Sequence, residues 1–150
     1  MNTVSKYKLQ MVKEATYEFG SEKHTTPDKV VEFLKNQIGS DPQENMVMLC
    51  YNNQNELLSY HEVHKGTADR SIVSPRDIFT RALLSGATRV IMAHNHPGGS
   101  LKASMADLKA TETLIEAGRV LHIDVLDHII VTSEDYSSIR GQHEGLWEDY

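Results

Sequence analysis

Two histidines two residues apart, His94 and His96, are the side chains of this 150-residue chain whose type and spacing best suit chemistry. They follow the apolar run 89–93, and Asp107 lies eleven residues after the second histidine. Two imidazoles and one carboxylate are a three-ligand set, which leaves one position of a tetrahedral zinc ion open. An open position distinguishes a catalytic zinc site from a structural one. The pattern therefore predicts a metal-dependent hydrolase with one Zn²⁺ per chain.

Each of these residues also has a purely structural interpretation. On a strand, side chains at i and i+2 point to the same side, so His94 and His96 can reach one ion. Histidines in turns, however, often make ordinary hydrogen bonds. Ser104 and Asp107 match a capping box, in which serine caps a helix and the acidic residue reaches back. Ser104 could cap the helix and still belong to a metal site. A single carboxylate oxygen of Asp107, however, cannot fully serve as both the capping acceptor and a metal ligand. Asn95 points to the other side of the strand and is interpreted as a turn-stabilising amide.

A zinc hydrolase also needs a carboxylate that takes the proton of the attacking water. The candidates on the predicted second strand are Glu56 and Glu62. Glu62 lies between two histidines, which suggests the zincin motif H-E-x-x-H. That motif does not fit, because His61 and His64 are one residue too close and the context is a strand rather than a helix. We interpret these two histidines as exposed strand residues.

The rest of the sequence predicts a mixed α/β scaffold for these residues. Each of three helix signals begins at a Ser or Thr cap, and short apolar runs with strand character alternate with them. The helices are predicted from Thr26 to Gly39, from Ser74 to Gly86 and from Ser104 to about Ala117, with Gly118 as C-cap. The strands are predicted at 46–51, 56–63, 71–73, 88–93, 123–126 and 128–132. This alternation predicts an α/β fold of the α+β type, with one mixed central sheet flanked by about three helices.

Length and composition predict one soluble domain. Residues 1–40 are expected to form an arm and a helix packed on the domain, 41–140 the domain itself, and 141–150 a flexible tail. The net charge of −6 and the absence of a dense Lys/Arg cluster argue against direct DNA binding. No apolar run is long enough for a membrane span, no signal peptide is evident, and the single cysteine fits a reducing compartment, so a cytoplasmic location is expected. An exposed hairpin edge could pair with a second copy to form a homodimer.

Taken together, Glu62, His94-x-His96 and Ser104-x-x-Asp107 resemble the JAMM motif of the MPN metallopeptidases, a glutamate followed by H-x-H-x(7)-S-x-x-D. More closely, the chain is similar to the RadC family, over about residues 42–140. The matching blocks are Glu62-Val63 with Gly66, Ser71-Ile72-Val73, Pro75-Arg76-Asp77, Ala93-His94-Asn95-His96-Pro97 and Val125-Leu126-Asp127-His128-Ile129-Ile130. The resemblance implies a single MPN/JAMM-like domain of cytidine-deaminase-like architecture, in a stand-alone form without the N-terminal helix-hairpin-helix region of longer members.

The resemblance also implies a role for each motif residue. His94, His96 and Asp107 correspond to the zinc ligands, and Glu62 corresponds to the general acid/base. Ser104 corresponds to the residue that stabilises the tetrahedral oxyanion by hydrogen bonding. The implied activity is that of a zinc metallopeptidase that hydrolyses a peptide or isopeptide bond in a peptide or protein substrate.

Two other functions stay open, and the role of Asp127 and His128 is undecided. The RadC family name carries a DNA-repair label, so a DNA-associated role is one alternative. A non-catalytic interaction module is the other, although such MPN domains usually lack motif residues and this chain lacks none. For Asp127 and His128, nothing in the spacing distinguishes support of the metal site from sheet structure.

Overall fold

A computed structural model describes residues 1–19, 26–66 and 74–148, and it contains one five-stranded mixed sheet with helices on both faces. The helices are α1 Pro27–Leu34, α2 Pro75–Leu84, α3 Met105–Leu121 and α4 Ile139–Gln142. The strands are β1 Asn45–Tyr51, β2 Leu57–Lys65, β3 Arg89–Asn95, β4 Asp124–Val131 and β5 Tyr136–Ser138. A π-helical turn, Lys35–Gly39, extends α1, and a 3₁₀ turn, Glu144–Leu146, follows α4. The predicted fold class is confirmed. The strand predicted at 71–73 lies outside the described residues.

The strand order places β3 in the middle of the sheet. The order is β2-β1-β3-β4-β5, with β1 antiparallel to both β2 and β3, β3 parallel to β4, and β4 antiparallel to β5. The carboxyl end of β3 therefore lies between the start of β1 and the end of β4. Since β2 is an edge strand of this sheet, the edge-to-edge homodimer stays a prediction.

Alternation along the strands divides the core between two faces of the sheet. On one face, α2 and α3 pack on a cluster that includes Met46, Met48, Val90, Met92 and Leu114. On the opposite face, α1 packs on a cluster that includes Val47, Leu49, Ala93, Phe33 and Leu34. His94 follows Val90 and Met92 in the alternation, so its side chain lies on the α2/α3 face, whereas Asn95 lies on the α1 face.

The three long helices begin where the sequence predicts, because each has a hydroxyl cap. Thr26 accepts a hydrogen bond from the backbone amide of Lys29, and Ser74 accepts one from that of Arg76. A proline follows both of these caps at the first helical position, where a missing amide proton costs nothing. Ser104 caps α3 in the same way.

The end of α3 differs from the prediction. Gly118 is not the C-cap; the helix continues to Leu121 and ends at His122, which has a left-handed backbone with φ of 58°. Gly118 is buried inside the helix because the chain returns tightly there. The backbone amide of Ile123 donates to the Gly118 carbonyl at 2.8 Å, and a Cβ on Gly118 would overlap the Ile123 carbonyl oxygen.

The two strands predicted at 123–126 and 128–132 are one continuous strand, β4. Asp127 interrupts the apolar pattern but not the strand, because its carboxylate has partners. It accepts hydrogen bonds from the Ser138 hydroxyl at 2.6 Å and from the Arg140 backbone amide at 3.1 Å. This carboxylate joins β4 to the start of α4 and serves sheet structure.

The C-terminal segment predicted as a flexible tail is packed on the domain as far as Trp147. Trp147 contacts both the α2/α3 cluster and a smaller cluster around Ile139. Its indole nitrogen donates to the Val125 carbonyl at 2.7 Å, and Arg119 donates to the Trp147 carbonyl at 3.1 Å. The single tryptophan thus anchors a polar segment that composition alone marks as loose.

The N-terminal residues 1–19 have no regular secondary structure, and most of their side chains are exposed. The segment contacts the domain at Met11, whose sulfur accepts a hydrogen bond from the Ser85 hydroxyl at 3.3 Å, and again near its end. The rings of Tyr17 and Phe19 lie 6.0 Å and 4.7 Å from that of Phe33 in α1. No helix in the described parts of the chain is long and apolar enough to span a membrane.

Candidate metal centre

Two elements bring the predicted ligands together beside the middle of the sheet. His94 is the penultimate residue of β3, His96 follows that strand, and Asp107 lies on the first turn of α3. The Nε2 atoms of the two histidines are 2.8 Å apart. The Asp107 Oδ1 atom lies 3.4 Å from Nε2 of His94, and Oδ2 lies 3.3 Å from Nε2 of His96.

The donor set and its geometry fit a zinc ion. Ligand atoms at about 2.0–2.1 Å from a tetrahedral ion lie about 3.3–3.4 Å from one another. The separation between Asp107 Oδ1 and His94 Nε2 has this length, and the distance between the two histidine nitrogens is shorter. Imidazole nitrogens with one carboxylate are the donors of known catalytic zinc sites. His94 is buried, while His96 and Asp107 are slightly exposed, so the cluster is open on one side.

The carboxylate beside this cluster is Glu44, which the sequence reasoning missed. One ligand atom from each of Glu44, His94, His96 and Asp107 lies within 4.8 Å of the others. Glu44 comes two residues before Met46, which pairs with His94 across β1 and β3. The side chains of Glu44 and His94 therefore point to the same face of the sheet. The signal was present in the sequence as the alternation Glu44, Met46, Met48, but its use requires knowing that β1 pairs with β3.

The structure does not bring Glu62 to the cluster. A register shift between Met46 and Val47 places Glu62 opposite Val47 on the neighbouring strand. Directly paired residues share a face, and Val47 belongs to the core under α1. Glu62 thus projects from the opposite face of the sheet and is exposed. The placement of Glu62 beside the histidines is corrected, and Glu56, before β2, is not in the cluster either.

Ser104 and Asp107 form the capping box that the sequence suggested. The Asp107 backbone amide donates to Ser104 Oγ at 3.0 Å, and the Ser104 amide donates to Asp107 Oδ2 at 2.9 Å. The second carboxylate oxygen, Oδ1, faces His94. Oδ2 therefore accepts the capping hydrogen bond and approaches His96, whereas Oδ1 remains available to a metal ion.

The contact between Asp107 and His96 shifts their pKa values in opposite directions. Burial raises the pKa of the Asp107 carboxyl, but the contacts with His94 and His96 and the hydrogen bond from the Ser104 amide together outweigh it, so the net shift is downward. The hydrogen bond to Asp107 raises the pKa of His96 against a smaller opposing effect of burial. An ionised carboxylate is the form that binds a metal.

Backbone contacts orient His96. Its Nδ1 atom lies 2.7 Å from the Ser100 carbonyl oxygen, which can only accept, so Nδ1 carries the proton. When the ring is neutral, the lone pair therefore lies on the other nitrogen, Nε2, which faces the cluster. The His96 amide also donates to the Val131 carbonyl, and Gly99, with φ of 86°, closes the turn by donating to the His96 carbonyl.

Asn95 positions the segment that carries Glu44. Its side-chain oxygen accepts from the Asn45 amide at 2.6 Å, and its side-chain nitrogen donates to the carbonyls of Gln43 at 2.8 Å and Asp41 at 3.2 Å. The amide is fully buried. It therefore stabilises a connection between strands, the entry to β1, rather than the turn after β3.

Of the undecided pair, His128 contacts the candidate ligand His94. It is almost completely buried, and its Nε2 atom lies 2.7 Å from Nδ1 of His94. Burial lowers the pKa of His128 well below its usual range, and proximity to His94 lowers it further. A neutral imidazole can accept from one neighbour while it donates to another.

A groove of about 500 Å³ opens beside Ser104. It is lined by Ser100, Lys102, Ala103, Ser104, Met105, Leu108 and His143. The groove continues from the first turn of α3, so a molecule bound there would lie against the cap that also presents Asp107.

A mixed sheet whose central strand carries two histidines, beside a helix whose first turn carries an aspartate, is consistent with a JAB/MPN domain. The RadC-like JAB domain matches residues 24–146, and the chain belongs to this family. A UPF0758 protein of Finegoldia magna is 45% identical over 114 residues, which cover 76% of this chain and 51% of the relative. UPF0758 proteins of Picosynechococcus and Methanosarcina barkeri are each 36% identical, over 83% and 78% of this chain and 51% of the relative. The chain thus spans about half the length of these relatives.

Proposed function

We propose that this chain is a zinc-dependent hydrolase of the JAMM type that cleaves a peptide or isopeptide bond in a peptide or protein substrate. The observation that carries the proposal is the convergence of His94, His96 and Asp107 with a second carboxylate, Glu44, within 4.8 Å. Three ligands and one additional carboxylate are what a catalytic site needs, whereas a structural site uses four ligands.

His94, His96 and Asp107 would hold the ion. When bound, zinc supplies Lewis acidity, which lowers the pKa of water to about 7 and polarises a carbonyl group. The chain must supply the remaining chemistry, which is proton transfer and stabilisation of the charge that develops on the carbonyl oxygen.

Glu44 takes the role that the resemblance assigned to Glu62. Its carboxylate accepts a proton from the water whose oxygen attacks the carbonyl carbon. It then returns that proton to the amine nitrogen as the carbon–nitrogen bond breaks. Glu44 is suited to this because its carboxylate lies in the cluster, while its backbone, just before β1, belongs to neither of the elements that carry the three ligands.

Ser104 is the donor for the oxygen that gains negative charge. As a helix cap, its Oγ atom uses a lone pair to accept from the Asp107 amide, so its hydroxyl proton can be donated to substrate. The adjacent groove, with Met105 and Leu108 in its wall, offers an apolar surface for a substrate side chain. Removal of one oxyanion donor typically reduces turnover by about 100- to 1000-fold.

The paired variants Glu44→Gln and Glu62→Gln test the proposal. Zinc-reconstituted protein is screened against libraries of peptides and isopeptide-linked peptides, and the variants are assayed on the best substrate. We expect Glu44→Gln to abolish turnover and Glu62→Gln to retain it. The reverse would return the base to Glu62. Zinc binding without turnover on any library would favour the interaction module, and sub-micromolar affinity for any DNA form at physiological salt would favour the DNA-associated alternative.

A further inference from the structure

A closed chain of hydrogen bonds lies behind His94, on the side away from the other ligands. Nδ1 of His94 lies 2.7 Å from Nε2 of His128, and Nδ1 of His128 lies 2.7 Å from Oγ1 of Thr111. Thr111 Oγ1 in turn donates to the backbone carbonyl of Asp107 at 2.7 Å. These hydrogen bonds thus connect one candidate ligand, His94, to another, Asp107.

The donor and acceptor at each step of this hydrogen-bond network follow from the Asp107 carbonyl oxygen, which carries no proton. The Asp107 carbonyl can only accept, so the single hydroxyl proton of Thr111 is committed to it. Thr111 Oγ1 must then accept from Nδ1 of His128. A neutral His128 protonated on Nδ1 has a lone pair on Nε2, so His94 must donate to it from its own Nδ1.

This leaves the lone pair of His94 on Nε2, which is the nitrogen that faces Asp107 and His96. The opposite order would place a proton on Nε2 of His94 and block its bond to a metal. Thr111, His128 and His94 are all at most 2% exposed, so water has little access to satisfy the alternative arrangement. The geometry selects a single tautomer.

We propose that Thr111 and His128 are positioning residues that fix the tautomer of His94 and thereby set the metal affinity of the site. The inference rests on the proposed zinc site. Thr111 lies one helical turn after Asp107 on α3, so the same turn that presents one ligand also fixes the protonation of another. His96 needs no such relay, because a backbone carbonyl fixes its tautomer directly.

The first test compares Thr111→Val with Thr111→Ser. Valine has nearly the shape of threonine but has no oxygen, whereas serine keeps the hydroxyl. Zinc affinity is measured by competition with a chromophoric chelator on the full chain. We expect Thr111→Val to weaken zinc binding by about 10- to 100-fold, as is typical for partners that orient a ligand, and Thr111→Ser to bind like the wild type. A folded Thr111→Val protein with wild-type affinity would overturn the proposal.

The second test uses His128→Gln and His128→Phe, and it applies if the valine variant does not fold. A glutamine amide oxygen can accept from Nδ1 of His94, whereas a phenyl ring cannot. We expect His128→Gln to bind zinc more tightly than His128→Phe by at least about tenfold. Equal affinities of these two variants would show that the ring merely fills space.

The third measurement separates this inference from the zinc site itself. Long-range proton–nitrogen NMR correlations of the metal-free wild-type protein identify which imidazole nitrogens carry protons. We expect both His94 and His128 to be protonated on Nδ1, and Thr111→Val to alter that pattern. A proton on Nε2 of His128 in the wild type would overturn the inference. A wild-type protein that bound no zinc would instead overturn the proposed function. The observed tautomers would still decide whether Thr111 and His128 fix the protonation of His94.

Discussion

The backbone amide of Asn45 donates a 2.6 Å hydrogen bond to the side-chain oxygen of Asn95, and this bond ties the start of β1 to the end of β3. Asn45 is adjacent to Glu44, and Asn95 lies between His94 and His96. The distance between the proposed base and the proposed ligands is therefore set on the α1 face of the sheet, opposite the site.

We expect Asn95→Ala to separate catalysis from metal binding. The substitution leaves the Asn45 amide and two carbonyls without their buried partner, which should lower the free energy of unfolding by about 2–3 kcal/mol. Turnover should fall because Glu44 is no longer held in place, while zinc stoichiometry should not change. Urea unfolding, peptide hydrolysis and metal analysis measure these three quantities. The exposed Asn53→Ala is the control. A folded Asn95→Ala protein with full turnover would contradict this role.

We expect Gly118→Ala to destabilise the fold. The new methyl group would overlap the carbonyl oxygen of Ile123, and a backbone atom cannot move aside as a flexible side chain can. Overpacking of this kind costs about 1–3 kcal/mol. Gly145→Ala is the matched control, because a Cβ there meets no atom within 4 Å. Urea denaturation of both variants provides the comparison, and equal midpoints would show that α3 can shift away from β4.

The packed C-terminal segment can be tested without a substitution, since Trp147 is the single tryptophan of the chain. Its indole nitrogen donates to β4, so its fluorescence should change in the same urea transition that removes the far-ultraviolet circular dichroism of the sheet. An indole signal that changed well before that transition would mean that the segment is loose.

Stability of the metal-free protein should depend on the contact between His96 and Asp107. That hydrogen bond raises the pKa of His96, so the folded state favours its charged form. Its contribution is fully present below the unfolded pKa of about 6.5 and is lost as the pH rises through the raised pKa. Wild type should therefore lose more stability than Asp107→Asn between about pH 6 and about pH 8. Urea unfolding of both proteins without metal measures this, and identical pH profiles would rule out the coupling.

The clustering of His94, His96 and Asp107 was predictable from the sequence because it is local. His94 and His96 lie at the end of one strand, and Asp107 lies in the first turn of the next helix, after the Ser104 cap. Strand alternation and helix capping are therefore enough to place all three. The caps at Thr26, Ser74 and Ser104 were predictable for the same reason, since a cap depends only on its own first turn.

The position of Glu44 was not predictable in this way, because it depends on a pairing between distant strands. Glu44 is fifty residues from His94, and the antiparallel register of β1 and β3 brings them together. Glu62 lies on a strand too, but a one-residue register shift turns it to the other face. His128 depends in turn on the parallel pairing of β3 with β4, in which it lies beside Met92. Trp147 and Gly118 depend on tertiary contacts that composition does not report.

Zinc content tests the central claim most directly, namely that three residues hold the ion and Glu44 acts beside it. Wild type, Glu44→Gln and Asp107→Asn are reconstituted with zinc, dialysed and measured by mass spectrometry. We expect about one zinc per chain in wild type and in Glu44→Gln, and none in Asp107→Asn. Loss of zinc from Glu44→Gln would make Glu44 a fourth ligand of a closed, structural site. A wild-type protein without zinc would contradict the metal centre altogether.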